Sequence, residues 1–240
     1  METEITHRSE GISQFFIGNL LDARLLAVNG GILGMVLFSL AAIILIYYFF
    51  EKTQSPEMLF LVFFVVSFSV ETLRLILPLG QVYRIPSLYL LVSTRIILFA
   101  RHFGIFSLFA SGLIAAGYGV QNHRNVVLFI IVPALLVALG IPVDTQAWDS
   151  SLSMIVGYTA MFRLVEIALF LGTAVSFFVA VWSKGSQKYI LIGIGSVLAF
   201  LGRNILLNAD TWAGLSAGLA LLAVGMWLIC TRLHTIYLWL

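Results

Sequence analysis

Residues 27–50 read AVNGGILGMVLFSLAAIILIYYFF and contain no charged side chain. A helix crosses the hydrocarbon core of a bilayer with about 20 mostly apolar residues, so this stretch predicts a membrane span. Six further stretches have the same character, and the sequence therefore predicts an all-α polytopic bundle of seven transmembrane helices. The predicted spans cover 27–50, 57–79, 87–117, 126–142, 152–182, 188–208 and 212–235.

The composition of the whole chain agrees with this class. Of its 240 residues, 61% are hydrophobic and 10% are charged, whereas soluble domains carry about 25% charged residues. The net charge of +2 supplies no basic stripe for a nucleic acid backbone. We expect a multi-pass cell-membrane protein of the bacterial inner-membrane type, whose first partner is the lipid bilayer.

The segment ahead of the first span is polar where it begins. METEITHRSEG is acidic and does not resemble a cleavable signal peptide. The following ISQFFIGNLLDARLL predicts an N-terminal arm over 1–26 with an interfacial amphipathic helix, and a helical extension of the first span is the alternative. Residues 27–240 then form a single transmembrane domain, because every connection between spans is short. The apolar side chains expected in the interface are Phe15, Phe16, Leu20 and Leu26.

The cations in the connections predict an orientation. Lysine and arginine in short loops are retained on the cytoplasmic side. One set of connections holds only Arg84 as a cation, together with acidic residues. The sequence therefore predicts an outside N-terminus and a cytoplasmic C-terminus. The cations assigned to the cytoplasmic side are Lys52, Arg124, Lys184, Lys188 and Arg232.

Seven charged residues lie inside the predicted spans and away from their cytoplasmic ends; a charge near the bilayer centre costs roughly 2.5–3.5 kcal/mol and usually faces the bundle interior. Counting depth at about 1.5 Å per residue predicts two interhelical ion pairs, Glu71 with Arg95 and Glu166 with Arg101. Pairs within one helix, Glu71–Arg74 and Arg163–Glu166, compete with them and stay open. The seven residues are Glu71, Arg74, Arg95, Arg101, Arg163, Glu166 and Arg203.

Five of these seven residues are arginines, which leaves a surplus of three positive charges. The surplus predicts an outward-facing site in which arginine forks hold an anionic or lipid-like ligand. Carbonyls, hydroxyls and water could instead compensate the charge, which is the purely structural alternative. The predicted ligand-binding residues are Arg95, Arg101, His102, Arg163, Arg203 and Asn204.

Several kinds of chemistry find no support in the sequence. The three lysines lie in predicted connections, so a retinal Schiff base has no attachment point, and His102 is the only histidine deep in a span. A single cysteine, Cys230, cannot form a metal cluster, and no nucleophile elbow or metalloprotease motif occurs. We expect no cofactor, no metal and no catalytic residue. An intramembrane enzyme built on Glu71 or Glu166 stays open as an alternative.

Small residues recur in the last two predicted spans. GIGSVLAFLG and AGLSAGLALLAVG place glycines where two helix backbones can approach closely. The glycines expected at this contact are Gly193, Gly195, Gly214 and Gly218.

The stretch SFFVAVWSKGSQKYILIGIGSVLAFLGRNIL at 176–206 resembles the fifth and sixth helices, with their short basic turn, of the seven-helix membrane sensor regions of bacterial signalling proteins. The resemblance implies a receptor-like or accessory subunit. Because the sequence ends soon after the last span, such a subunit would signal through a separate protein partner, at the cytoplasmic face or within the membrane. A transporter or channel for an anionic substrate and a structural subunit of a membrane complex are the alternatives.

Overall fold

The computed structural model describes residues 23–50, 56–76, 86–118, 123–148, 152 and 154–237. The predicted N-terminal arm, apart from its last few residues, lies outside this part of the chain. Seven α-helices and one pair of strands are described. The helices are α1 (Ala23–Phe50), α2 (Pro56–Val66), α3 (Ser87–Ala115), α4 (His123–Gly140), α5 (Thr159–Lys184), α6 (Lys188–Leu207) and α7 (Trp212–Tyr237).

Six of these helices are long and apolar enough to cross a membrane, if the continuation of α2 to Leu75 is included. The seventh, α4, has a shorter apolar part at Asn125–Gly140. Large apolar side chains such as Leu33, Ile44 and Trp182 are exposed on the outside of the bundle. The architecture is that of a multi-pass membrane protein, and seven helices fit the predicted number.

Helix α3 lies at the centre of the bundle and contacts α2, α4, α5 and α6. Its buried face is rich in small residues such as Ser107, Ala110, Ser111 and Gly112, which let neighbouring helices come close. Helix α4 packs chiefly on α3 and contains Pro133.

The second predicted span is not one uniform helix. Helix α2 ends at Val66, and a 3-10 helix continues the chain over Ser69–Leu75. The Ser69 hydroxyl donates to the Val66 carbonyl at 2.7 Å and the Thr72 hydroxyl to the Ser69 carbonyl at 2.6 Å. Such side-chain bonds compete with the regular α-helical ladder. Because residues i and i+3 eclipse in a 3-10 helix, Glu71 and Arg74 share one face.

The fifth predicted span, 152–182, begins too early. Helix α5 starts at Thr159, and the preceding residues form strand β2 (Met154–Val156), which pairs antiparallel with β1 (Val143–Trp148). A short apolar run such as SMIV fits a strand as well as a helix by periodicity alone. The strand reading places Arg163 only about 6 Å from the start of its helix instead of deep in the span.

Helices α6 and α7 pack backbone against backbone. A Cβ atom added at Gly195 would lie 2.8 Å from the Gly225 carbonyl oxygen, and one added at Gly218 would lie 2.7 Å from Leu206 Cγ. The predicted close approach is confirmed at Gly195 and Gly218. Gly193 instead faces Phe177 of α5, and Gly214 lies against the preceding turn.

Candidate charged site within the bundle

The strongest polar contact between helices joins Glu71 and Arg101. Arg101 Nε donates to Glu71 Oε1 at 2.7 Å, and Arg101 Nη2 donates to Oε2 at 2.9 Å. Two parallel bonds between a guanidinium and a carboxylate are short, strong and geometrically specific. The pair fixes the 3-10 helix that continues α2 against the middle of α3.

Arg74 also contacts this carboxylate, since its Nη1 atom lies 3.5 Å from Glu71 Oε2. Arg74 and Glu71 are both buried. The 3-10 winding aligns the two side chains, and one carboxylate therefore serves two arginines.

Arg203 links α6 to α3 and lies near α5. Its Nη2 atom donates to the Arg101 backbone oxygen at 3.0 Å, and Nη1 donates to Asn204 Oδ1 at 3.0 Å. The same Nη1 atom lies 4.0 Å from Glu166 Oε1 on α5. Arg203 is buried, so its charge depends on these protein groups. We refer to Glu71, Arg74, Arg101, Glu166 and Arg203 as the charged cluster.

His102 lies next to the charged cluster and is 3% exposed. Its Nδ1 atom is 2.8 Å from the Leu98 carbonyl oxygen. Because a carbonyl oxygen only accepts, Nδ1 carries the proton in this bond. The opposite nitrogen, Nε2, is buried and has no hydrogen-bond partner among the described residues. The ring packs edge-on against Phe162 at 6.0 Å between centroids.

The closest contacts of these charges differ from the two interhelical pairs predicted from depth. Arg95 does not meet Glu71: its Nη1 atom donates to the backbone oxygens of Ala138, at 2.5 Å, and Ile141. Ala138 lies in the last turn of α4 and Ile141 directly follows the helix; carbonyls at the C-terminal end of a helix have no partner further along it and attract a cation. Glu71 pairs with Arg101 instead, as described above.

Glu166, predicted to pair with Arg101, approaches Arg203 most closely, although it remains near enough to Arg101 for an electrostatic interaction. The predicted depths did not identify the pairs because each residue's depth was counted from the end of its own helix, and the helices do not begin at one level. Arg101, which pairs with Glu71, lies 14 residues or about 21 Å from the start of α3.

The predicted ligand-binding residues divide into two groups. The structure brings Arg101, His102, Arg203 and Asn204 together, but Arg95 is bound by the end of α4. Arg163 is exposed near the start of α5. Of the competing pairs within one helix, Glu71–Arg74 is present, while Glu166 turns to Arg203 and away from Arg163.

The charge balance of the cluster is smaller than the sequence predicts. Three arginines face two glutamates, which leaves one positive charge instead of three. The edge formed by Arg101 and Glu166 is partly open, since their side chains are 19% and 26% exposed.

The sequence analysis missed a second buried carboxylate at the other end of the bundle. Glu57 is 2% exposed and lies 3.5 Å from Lys184 Nζ. The Tyr237 hydroxyl donates to Glu57 Oε2, and the Ser111 hydroxyl donates to the Glu57 backbone oxygen at 3.2 Å. The available signal was an acidic residue directly after a proline, which is typical of a helix start.

Tyr237 therefore packs against the core of the bundle. The neighbouring Trp239 and Leu240 lie outside the described residues. Within the described part of the chain, no group of three or more histidine, cysteine, aspartate and glutamate residues is arranged to hold a metal ion.

No family model, no curated protein and no solved structure matches this chain. Its six long apolar helices suggest a multi-pass membrane protein. Anything finer about its function has to come from the two buried charged regions and the surfaces around them.

Proposed function

We propose that this chain is a receptor-like or accessory membrane subunit that binds one anionic group, from a lipid or a small molecule, at the charged cluster. The observation that carries the proposal is the single surplus positive charge beside a partly open edge, with the buried Nε2 atom of His102 next to it. In the predicted orientation this site opens to the outside.

The chemistry of the site favours a particular kind of ligand. A buried cation without a counter-charge is heavily penalised, so one anionic oxygen near Arg101 or Arg203 lowers the energy of the bundle. The unprotonated Nε2 atom of His102 accepts a hydrogen bond and needs an O–H or N–H donor. A phosphate that retains one proton supplies both the anionic oxygen and the hydroxyl.

The geometry also offers a route from ligand to helix packing. Arg101 joins α3 to the continuation of α2, and Arg203 joins α6 to α3. A ligand oxygen that takes over one of these bonds changes the relative stability of two helix arrangements, which is what a ligand must do to shift a conformational equilibrium. A protein partner at the opposite, predicted cytoplasmic face would respond to that shift.

The buried core of α2 separates the charged cluster from the Glu57 region. Phe60, Phe64 and Phe68 are at most 1% exposed and lie between the two glutamates along the chain. A continuous polar path would be expected of a transporter or channel, and this apolar barrier favours binding without passage. Transport of an anion is the second candidate, and uptake of the bound anion into vesicles would support it.

Two substitutions of opposite charge test the binding site. Glu166→Gln raises the surplus from one positive charge to two, and Arg203→Met removes it. We expect phosphatidic acid, added to a neutral detergent micelle, to raise the melting temperature of the unmodified chain. The lipid should raise the melting temperature of Glu166→Gln by more and should not change the melting temperature of Arg203→Met. A ligand that binds only the folded state stabilises that state.

The two variants are expected to change the lipid-induced rise in melting temperature in opposite directions. Two substitutions that only damaged the fold would both weaken that rise. Arg163→Gln is the matched control, because it removes an exposed cation outside the charged cluster and should leave the response intact. Oleate and inorganic phosphate, tested in parallel, distinguish a carboxylate lipid and a free anion from a lipid phosphate. The proposal is overturned if none of the three probes stabilises the chain, or if Glu166→Gln weakens the response.

A further inference from the structure

An apolar groove of about 280 Å³ lies between α5 and α6, away from the charged cluster. Along α5 its wall contains Ala174, Phe177 and Val181, and along α6 it contains Tyr189 and Leu198. The groove belongs to a surface that faces the hydrocarbon core of a bilayer in a membrane bundle. Its occupant there has to be apolar.

The length of the groove matches one leaflet. From Leu198 to Tyr189 the wall on α6 extends about 14 Å, and from Ala174 to Val181 the wall on α5 extends about 11 Å, with Lys188 and Lys184 just beyond these ends. The hydrocarbon core is roughly 30 Å thick, so one leaflet contributes about half of that. The groove therefore runs from the bilayer midplane to the level of the turn between α5 and α6, which is the depth that one acyl chain occupies.

Two lysines stand at the end of the groove that meets this turn. Lys184 Nζ lies 3.1 Å from the Tyr189 hydroxyl and 5.1 Å from the centroid of the Tyr189 ring, which is itself part of the groove wall. Lys188 begins α6, and its Nζ atom donates to the Thr235 backbone oxygen at 3.4 Å. The side chain of Lys184 is 38% exposed, so its ammonium can reach a group outside the bundle.

The charge at this mouth is complementary to one phosphodiester. Among the described residues, Glu57 faces Lys184, and these two lysines carry one positive charge more than this carboxylate balances. An acyl groove that ends at a single net cation has the chemistry of a site for a phospholipid with an anionic headgroup. Cations near the cytoplasmic surface attract anionic lipids, which favours them over zwitterionic lipids.

We propose that the groove between α5 and α6 holds one acyl chain of an anionic phospholipid, whose phosphate contacts Lys184 and Lys188. In the predicted orientation this lipid lies in the cytoplasmic leaflet. The site is independent of the charged cluster, which lies at the other end of the bundle. The lipid would fill the space between two helices that are joined by only a short turn and would hold them at a fixed distance.

Native mass spectrometry of the whole chain tests this site. The chain is released from micelles that contain equal amounts of phosphatidylglycerol and phosphatidylcholine. We expect one phosphatidylglycerol molecule to be retained at least several-fold more often than phosphatidylcholine. Ala174→Phe fills the groove and should remove the retained lipid, and Lys188→Gln should abolish the preference for phosphatidylglycerol.

Matched controls lie on the same helix. Val175→Phe adds the same ring to an exposed position next to Ala174, outside the groove wall, and should leave retention unchanged. Glu166→Gln alters the charged cluster and should also have no effect, which keeps this site distinct from the one proposed above. Equal retention of the two lipids, or loss with Val175→Phe as large as with Ala174→Phe, would overturn the proposal.

Discussion

Helix α2 and its 3-10 continuation carry a buried glutamate near each end, and the two are compensated differently. Glu71 meets the guanidinium of Arg101 through two hydrogen bonds and that of Arg74 at 3.5 Å. Glu57 meets a partly exposed lysine and a tyrosine hydroxyl. Arginine offers a rigid fork, whereas lysine is a compact charge on a flexible stem. The two glutamates are equally buried, but the contacts of Glu71 are geometrically fixed, whereas the lysine that contacts Glu57 can change its position.

The largest effect is expected from Glu71→Gln. This change leaves Arg74 and Arg101 facing a neutral amide inside the bundle, and removal of one partner of a buried ion pair typically costs about 3–5 kcal/mol of folding free energy. Unfolding of the purified chain in detergent, followed by thermal denaturation, measures the loss.

The double variant Glu71→Gln with Arg101→Met serves as the control for that measurement. When both charges are removed, no buried charge from this pair is left uncompensated, so part of the stability should return. A double variant as unstable as the sum of two single variants would show that Glu71 and Arg101 do not act as a pair.

Glu57→Gln should have a smaller effect, about 1.5 kcal/mol, which is the scale of one hydrogen bond to a charged group. The glutamine can still accept from Tyr237, and the partly exposed Lys184 can turn to water. The same thermal measurement provides the comparison with Glu71→Gln. A loss equal to or larger than that of Glu71→Gln would contradict the difference between the two ends.

The smallest effect is expected from Arg163→Gln. Its side chain is exposed near the start of α5, and surface substitutions away from special features usually stay within about 0.5 kcal/mol. A loss above about 2 kcal/mol would place Arg163 in the charged cluster after all and would restore the depth predicted from the sequence.

The helices were predictable because a bilayer imposes their length and apolar character. The partners of the charges were not, because pairing depends on the axial offset between helices, which no single span reveals. Arg95 shows a second limit, since its partners are backbone oxygens that every sequence contains. Arg163 shows a third limit. The apolar residues of strand β2 were counted as the start of the helix, which increased the predicted depth of Arg163 by about ten ångström.

The resemblance to bacterial sensor regions and the predicted orientation stay predictions, since both rest on sequence pattern alone. The sequence identified the charged residues of the site but did not show which of them contact one another. Arg101 and His102 are neighbours on α3, and Arg203 joins them only because α6 packs against α3. The Glu57 contacts were hidden for a related reason, since Lys184 and Tyr237 are far from it in sequence.

The winding of Ser69–Leu75 has a consequence for the reach of the chain. A 3-10 helix rises about 2.0 Å per residue and an α-helix about 1.5 Å. If these seven residues rewound as α-helix, the segment would shorten by roughly 3.5 Å. Arg74 would also turn by about 60° relative to Glu71. A rotation of that size would change the angle at which Arg74 approaches the Glu71 carboxylate without unfolding any of the long helices.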